Sequence, residues 1–399
     1  MNSAVIEQLN NAAKNLGVEQ EAIFSDGDAV SVARKIAPFG KVAAIYTKDS
    51  FLSFGKSFTE TLKKAGINPL NFIMPDGFSL NFENVFDIIG VPEDVRAIIC
   101  FDDGIKGLAA YIATLFKIPV IYVLRSAKTE GILASRIPFR RGNSFDNFNV
   151  KCERRVVIDF NNIEKTSESL SEQYVSVAAK VLALADFRVY LQLHGGRSEK
   201  TAYDAIKGAV INRFKPLSND ENTVATELLS DGLVAELADL SSRGAITENS
   251  AVKSFARLNS FAYERGLAFT LFKKLINLYA FCAKEQDEPF AVPDYNARVA
   301  ELAEITRSDD GVFLKGLTRQ LKYLRLAGDG VQMCRKSFSA EFSAQLKAFS
   351  TIEKNYTALG GKTDFDFSPY VGALKLSGDL PSTLNFMTLI RESGLIEFI

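Results

Sequence analysis

The feature that most constrains the fold is a series of short, wholly apolar runs, each separated from the next by an amphipathic stretch. Val42-Ala43-Ala44-Ile45-Tyr46 follows Gly40; Asn71-Phe72-Ile73-Met74 is stopped by the turn Pro75-Asp76-Gly77; Ala97-Ile98-Ile99-Cys100-Phe101 and Pro119-Val120-Ile121-Tyr122-Val123 follow. The longer runs lack polar alternation, as expected of strands covered on both faces rather than half-exposed ones. Between them, Phe51 to Ala65 reads as an amphipathic helix closed by Gly66, Asn81 to Ile89 as a short helix, and Gly104 to Phe116 as a third. Strands alternating with helices predict a doubly wound parallel sheet. Right-handed crossovers then direct ligands to the carboxyl ends of the strands.

Residues 135–165 form a polar bridge holding Arg136, Arg140 and Arg141, the stretch Asn143 to Asn149, and the strand-like Arg155-Val156-Val157-Ile158-Asp159. After Ser167 the hydrophobic period changes. Apolar residues recur three and four apart in Val175 to Leu193, Val224 to Leu240, Val252 to Cys282, Tyr295 to Ile305 and Phe338 to Tyr356, which is the pattern of packed helices. The predicted fold class is an α/β N-terminal doubly wound parallel sheet over residues 1–165, plus an all-helical C-terminal domain over residues 166–399. The cleft between them is the expected functional site.

Composition closes several routes. The single histidine, His194, excludes any two-His metal site, and its setting before Gly195-Gly196 reads as a glycine-capped helix end. The 47 basic and 48 acidic residues nearly cancel, so neither nucleic acid nor a membrane surface is an expected partner. Cys100, Cys152, Cys282 and Cys334 form no CxxC pair, which removes zinc ribbons and thioredoxin-type motifs. The polar start MNSAVIEQLNNAAKNLG lacks the basic and apolar regions of a signal peptide. No run of about 18 apolar residues occurs, and the cytoplasm is the expected compartment. Thirty-one Phe and no Trp is an unusual balance, to which the sequence attaches no function.

Several segments resemble one family. Ile98 to Tyr122 sits where that family has strand, glycine-rich turn, helix and strand. Ser126-Ala127-Lys128-Thr129-Glu130-Gly131 resembles its Thr-Ala-Pro-Ser-Met-Asp-Gly loop, and Val157-Ile158-Asp159 its next strand. Ala178-Ala179-Lys180 with Leu184-Ala185-Asp186-Phe187 resembles its Gly-Asp-x-x-(Ala/Ser)-Lys…Asp-Trp helix. Ser382-Thr383-Leu384 to Ser393-Gly394-Leu395 resembles its Tyr-Thr-Leu…Leu-Gly-Leu ending. From about Val42 to the C-terminus the chain thus resembles the superfamily of dehydroquinate synthase, iron-containing alcohol dehydrogenases and glycerol-1-phosphate dehydrogenase. It is most similar to the bacterial glycerol-1-phosphate dehydrogenases.

The resemblance implies NAD(P) on the sheet domain and a divalent metal in the cleft, held by one Asp and two His. The segment matching the glycine-rich turn reads Phe101-Asp102-Asp103-Gly104-Ile105-Lys106-Gly107-Leu108. It keeps Gly104 and Gly107, while Asp102 and Asp103 bring carboxylates where a pyrophosphate would meet backbone N–H groups, and Leu108 replaces an Asp. The metal positions fall at Ser176, near Asn249 or Ser250, and at Ala262; this set does not suit a catalytic divalent ion, and no metal is expected. With the Lewis acid gone, Lys128, Lys180 and Arg265 are the cations placed by the resemblance along the cleft. Lys128, Lys180 and Glu130 are the candidate catalytic residues, and Gly104, Gly107, Ser126 and Thr129 the candidate cofactor contacts. Arg136, Arg140 and Arg141 are candidate anion-binding residues, because guanidinium forks suit phosphate oxygens. The expectation is a diverged homologue of the NAD(P)-dependent glycerol-1-phosphate dehydrogenases that is not a metal-dependent dehydrogenase. It has no resident cofactor, NAD(P) entering only through the resemblance, and takes a small phosphorylated ligand; a homo-oligomer is left open. Two alternatives stay open: an active oxidoreductase on glycerol phosphate or dihydroxyacetone phosphate with a rearranged site, and a metal-free sugar-phosphate lyase or isomerase.

Overall fold

The computed structural model describes residues 2–36, 40–78, 80–81, 90–101, 103–141, 144–160, 163–194, 199–247, 250, 252, 267–284, 295–306, 336, 338–339, 342–363, 365–366, 387 and 390. The chain divides into two compact units, 1–169 with 220–243, and 170–219 with 244–399. Residues 82–89 of the helix predicted over Asn81 to Ile89, the Arg265 position and most of the predicted C-terminal motif lie outside the described residues.

The first unit is built on a six-stranded sheet in the order β1-β8-β5-β4-β2-β3, every neighbouring pair parallel. Its strands are β1 (Ala22–Asp26), β2 (Lys41–Thr47), β3 (Asn68–Met74), β4 (Val95–Cys100), β5 (Val120–Leu124) and β8 (Arg154–Ile158). A separate antiparallel hairpin joins β6 (Arg136–Arg141) to β7 (Ser144–Asn149). The helices are α1 (Asn2–Asn15), α2 (Ala29–Ile36), the short α3 (Lys48–Ser50), α4 (Lys56–Lys64), α5 (Lys106–Phe116) and α9 (Glu221–Ser241); a π-helical turn, Phe51–Gly55, joins α3 to α4.

Strand alternation divides the apolar side chains between two cores. Ala43, Ile45, Ile98, Cys100, Val120, Tyr122, Val156 and Ile158 point to a core shared with α1, α5, α9 and the hairpin. Val42, Ala97, Ile99, Ile121 and Val157 point to a core closed by α2 and α4. With helices on both faces, β2, β4, β5 and β8 each carry a run of consecutive apolar residues, Val42 to Tyr46, Ala97 to Cys100, Val120 to Leu124 and Val156 to Ile158. At the end of α4, Gly66 takes φ +81° and the Ile67 N–H donates to the Leu62 carbonyl at 3.0 Å. This is the left-handed stop that a side chain would strain.

The predicted division at residue 165 differs from the observed units in one respect. Helix α9 carries a helical period and was grouped by it with the C-terminal part, yet Leu229, Leu233, Leu237 and Leu240 sit in the core of the sheet unit. Asp220 caps it, accepting the Thr223 N–H at 2.9 Å.

The second unit, among its described residues, is helical: α6 (Ser167–Ala178, entering from the first unit), α7 (Lys180–His194), α8 (Lys200–Arg213), α10 (Leu267–Lys284), α11 (Tyr295–Thr306) and α12 (Phe349–Ala358). The continuous period read over Val175 to Leu193 is broken at Ala179, which separates α6 from α7. Its interior is pinned by polar contacts. Tyr174 donates to the Arg213 carbonyl at 2.6 Å, Asn355 Nδ2 donates to the Tyr174 oxygen at 3.0 Å and to the Lys215 carbonyl at 2.8 Å, and Tyr279 donates to Asp186 Oδ1 at 2.9 Å.

Candidate functional site

In a doubly wound sheet, ligands gather where successive connections leave in opposite directions. Here the chain runs outward from β2 to β3 and the other way from β4 to β5, so the switch point lies at the carboxyl ends of β2 and β4. That place is occupied by aromatic rings. Tyr46 stacks on Phe101, centroids 5.4 Å apart and planes 7° from parallel. Phe54 and Phe58 meet Phe101 edge-on at 5.0 and 4.7 Å, and Phe51 meets Tyr46 at 5.5 Å. The Arg125 guanidinium lies 3.8 Å over the Phe54 ring. Gly55 is needed for this packing: a Cβ there would come within 2.8 Å of the Phe51 ring and 3.1 Å of Tyr46. The phenylalanine-rich composition thus has a local use that the sequence did not disclose.

The loop after β5 carries four of the predicted site residues, and its polar groups hold the loop itself. Ser126 bridges to Glu164, and its hydroxyl accepts the Lys128 N–H at 3.3 Å. Thr129 is 2% exposed, and its carbonyl accepts the Ile132 N–H. The Glu130 carbonyl accepts from Lys106 Nζ at 3.2 Å, and the Gly131 N–H donates to Glu236 Oε2 at 3.0 Å. Lys106 and Glu236 are 7% and 2% exposed. A buried cation and a buried carboxylate therefore fix consecutive residues of the loop, a pair that sequence reasoning passed over. Tyr122, fully enclosed, donates to the Lys106 carbonyl at 3.2 Å, and burial pushes its hydroxyl well above the ordinary range. The cavity beside Phe101, Lys106, Tyr122 and Arg125 measures about 10 Å³, room for roughly one water.

The two predicted turn glycines separate in role. A Cβ on Gly104 would meet open space, whereas one on Gly107 would approach Ile137 Cγ2 to 3.1 Å. The tight fit at Gly107 is thus to the hairpin, at the start of α5. Asp102 and the Asp103 side chain, on which the charge argument rested, lie outside the described residues.

The backbone positions of Arg136 and Arg141 stand at opposite ends of one strand. Arg136 pairs with Asn149 at one end of β6 and Arg141 with Ser144 at the other, about 17 Å apart at the rise of an extended chain. The Arg140 and Arg141 side chains lie outside the described residues. Arg136 lines a pocket of about 570 Å³ with Glu21 and Glu153, which immediately precede β1 and β8, so this pocket opens at the amino ends of those strands. In the second unit, Ser176 on α6 and Lys180 at the start of α7 are 7% and 8% exposed; the Asn249 and Ala262 positions and the His194 side chain lie outside the described residues. Ser250 is buried, its hydroxyl donating to the Thr247 carbonyl at 2.9 Å. Among the described residues no three His, Cys, Asp or Glu side chains form a group able to hold a metal. No described helix is long and apolar enough to cross a membrane.

The sequence matches no family model and no curated protein. Solved structures do share its fold. An iron-containing alcohol dehydrogenase from Thermococcus thioreducens aligns over 94% of this chain and 98% of its own, at 10% identity and a TM-score of 0.56. Sulfoacetaldehyde reductase from Bifidobacterium kashiwanohense, solved with NAD+, aligns over 94% and 96% at 11% identity and 0.53. A probable glycerol dehydrogenase from Sinorhizobium meliloti aligns over 95% and 96% at 9% and 0.51. The fold is that of the iron-containing alcohol dehydrogenases and glycerol dehydrogenases, an N-terminal α/β domain followed by a helical one. At these identities the likeness is one of architecture, and chemistry has to be argued from the site.

Proposed function

We propose that this chain is a diverged relative of the NAD(P)-dependent glycerol-1-phosphate dehydrogenases that has kept the dehydrogenase fold and given up metal-dependent hydride transfer. One observation carries the reading: the switch point is packed with Tyr46, Phe51, Phe54, Phe58 and Phe101, and the neighbouring cavity of about 10 Å³ has no room for a pyrophosphate. The donor set points the same way. Ser176 offers a buried hydroxyl where the family resemblance calls for a carboxylate, and Ala262 offers no donor atom. These residues do not fit a catalytic divalent ion.

On this reading Lys106 and Glu236 are positioning residues for the loop 126–131. Lys128, Glu130 and Lys180 remain the candidates for any residual acid–base chemistry, and NAD(P) is not a resident cofactor. The competing reading, an active reductase with a rearranged site, takes its support from the NAD+-bound reductase of the same fold. Titration calorimetry with NADH separates the two, with no heat of binding expected up to millimolar concentration. Micromolar affinity would overturn the proposal, as would one tightly held equivalent of zinc, iron or nickel in the dialysed protein.

A further inference from the structure

The pocket at the amino ends of β1 and β8 goes beyond that reading and uses none of its residues. Its volume of about 570 Å³ lies within the range of small-molecule sites. Its two carboxylates are already engaged. Glu21 accepts both terminal nitrogens of Arg243, at 2.7 and 2.6 Å, with Arg243 itself held at φ +54°. Glu153 accepts Nε and a terminal nitrogen of Arg155 at 2.7 and 2.6 Å. The Cys152 thiol, pushed up by burial, adds no negative charge at neutral pH.

The cations in and behind the pocket are not matched in the same way. Arg136 and Lys151 line it, and their side chains have no ion-pair partner among the described residues. Among the described residues Arg154, 0% exposed, bonds to two carbonyls, Ala134 at 2.8 Å and Cys152 at 3.3 Å, and its Nε donor meets no partner. Ser135, also a lining residue, is 6% exposed with a hydroxyl that has no partner. A buried hydroxyl without a partner costs free energy unless something fills the place. An enclosed guanidinium whose charge is met only from a distance, by the Arg243-bound Glu21 carboxylate, likewise raises the local potential for an anion.

We infer that this pocket binds the doubly charged oxyanion of a small molecule, with the Ser135 hydroxyl and the Arg136 and Lys151 cations as its direct contacts and Arg154 supplying charge from behind. Charge-assisted bonds from a guanidinium fork favour phosphate-like oxygens. The remaining volume holds the organic part that such a group carries.

Inorganic phosphate, with acetate as the singly charged comparator, tests this by calorimetry on the full chain at low ionic strength. Phosphate is expected to bind at least tenfold more tightly than acetate. Ser135→Ala and Arg136→Gln are each expected to weaken phosphate about tenfold, while Lys63→Gln, at an exposed site elsewhere, leaves it unchanged. Thermal melts without phosphate show whether each variant folds; if Arg136→Gln fails to fold, Lys151→Gln takes its place. Equal affinity for phosphate and acetate identifies a carboxylate site and overturns the dianion. Absence of millimolar phosphate binding, or binding unmoved by Ser135→Ala together with Arg136→Gln, overturns the site. NADH binding with phosphate affinity intact would sink the proposed function and leave this inference standing.

Discussion

Arg154 offers the sharpest test of how the sheet unit is held together. It opens β8, between β1 and β5, and its side chain is fully enclosed. Arg154→Met keeps most of the aliphatic volume and removes the guanidinium. The carbonyls of Ala134 and Cys152 then lose donors at 2.8 and 3.3 Å. Each buried acceptor left without a donor costs about 1–3 kcal/mol, the larger figure applying to the shorter bond. Against this stands the relief of a buried cation, whose desolvation costs several kcal/mol per ion. Swapping an ion for an apolar residue is neutral or stabilising when all its polar partners leave too. Here the partners are main-chain carbonyls and stay behind.

The two orphaned carbonyls together cost about 4 kcal/mol, and with part of that offset by the relieved desolvation the net expectation is a loss of about 1–2 kcal/mol. Urea unfolding followed by far-ultraviolet circular dichroism reads it as a lower midpoint, with the slope unchanged if only stability has moved. Because the chain has two compact units, hydrogen exchange of peptides from β1 and β8 localises the effect. Arg154→Lys is expected to fall between the two, since an ammonium can serve at least one carbonyl. A Met variant as stable as the parent would refute the accounting, showing that the enclosed charge costs as much as its two bonds return. A Lys variant less stable than Met would refute it too.

Two further outcomes follow from local geometry. The Glu21 carboxyl is held below its ordinary value of 4.5, first by the hydrogen bonds from Arg243 and then by the charges of Arg243 and Arg154. A depressed folded pKa contributes stability above the unfolded value and loses it as pH falls through the folded one. Glu21→Gln should therefore cost less than about 1 kcal/mol at pH 7, the Arg243 side chain being 58% exposed, and the gap between variant and parent should close in melts near pH 3; a gap that widens on acidification would reverse the sign. Gly361→Ala would place a Cβ within 2.4 Å of the Tyr356 ring. That ring cannot swing away, being stacked on buried Phe269 at 4.2 Å with its hydroxyl on the Lys362 carbonyl, so chemical denaturation should show a loss of about 1–3 kcal/mol; an unchanged midpoint would mean that the stack yields.

The strands that could be read from the sequence are those whose environment leaves a mark on composition. β2, β4 and β5 are covered on both faces and appear as apolar runs. β1, the short edge strand Ala22–Asp26, ends in Ser and Asp and pairs on one side only; the first 36 residues consequently gave no sheet signal. Helical period identified α9, but period says that a helix has an apolar face and not which core receives it. The same limit applied to the sites. Arg136 was found by residue type, whereas the stretch Lys151 to Arg154 and Arg243 are distant segments that only the fold brings to Ser135 and Arg136. Conversely, Arg136 and Arg141 looked clustered because they are close in sequence, and an extended strand holds them apart. The aromatic filling joins Phe51, Phe54 and Phe58, a stripe at helical spacing, to Tyr46 and Phe101 from two separate strand ends, and no local pattern brings the three segments together.

The anion site inferred above lies at the end of the sheet unit opposite to the one its topology favours. A doubly wound sheet places free N–H groups and helix N-termini at the carboxyl ends of its strands, which is why anions collect there. Here two polar groups of the described carboxyl-end surface are engaged internally. Gly131 N–H goes to Glu236, Lys106 to the Glu130 carbonyl, and aromatic rings take the remaining space. Two buried donors with no hydrogen-bond partner among the described residues, the Ser135 hydroxyl and the Arg154 Nε, sit with the amino-end pocket. Their location predicts which half of the unit a bound anion protects. Hydrogen exchange with saturating phosphate should slow the amides around Ser135, Val150 and Lys151 and leave those of Phe101 to Gly107 unaffected. Protection confined to Phe101 to Gly107 would restore the topological rule and remove both the filled switch point and the amino-end site.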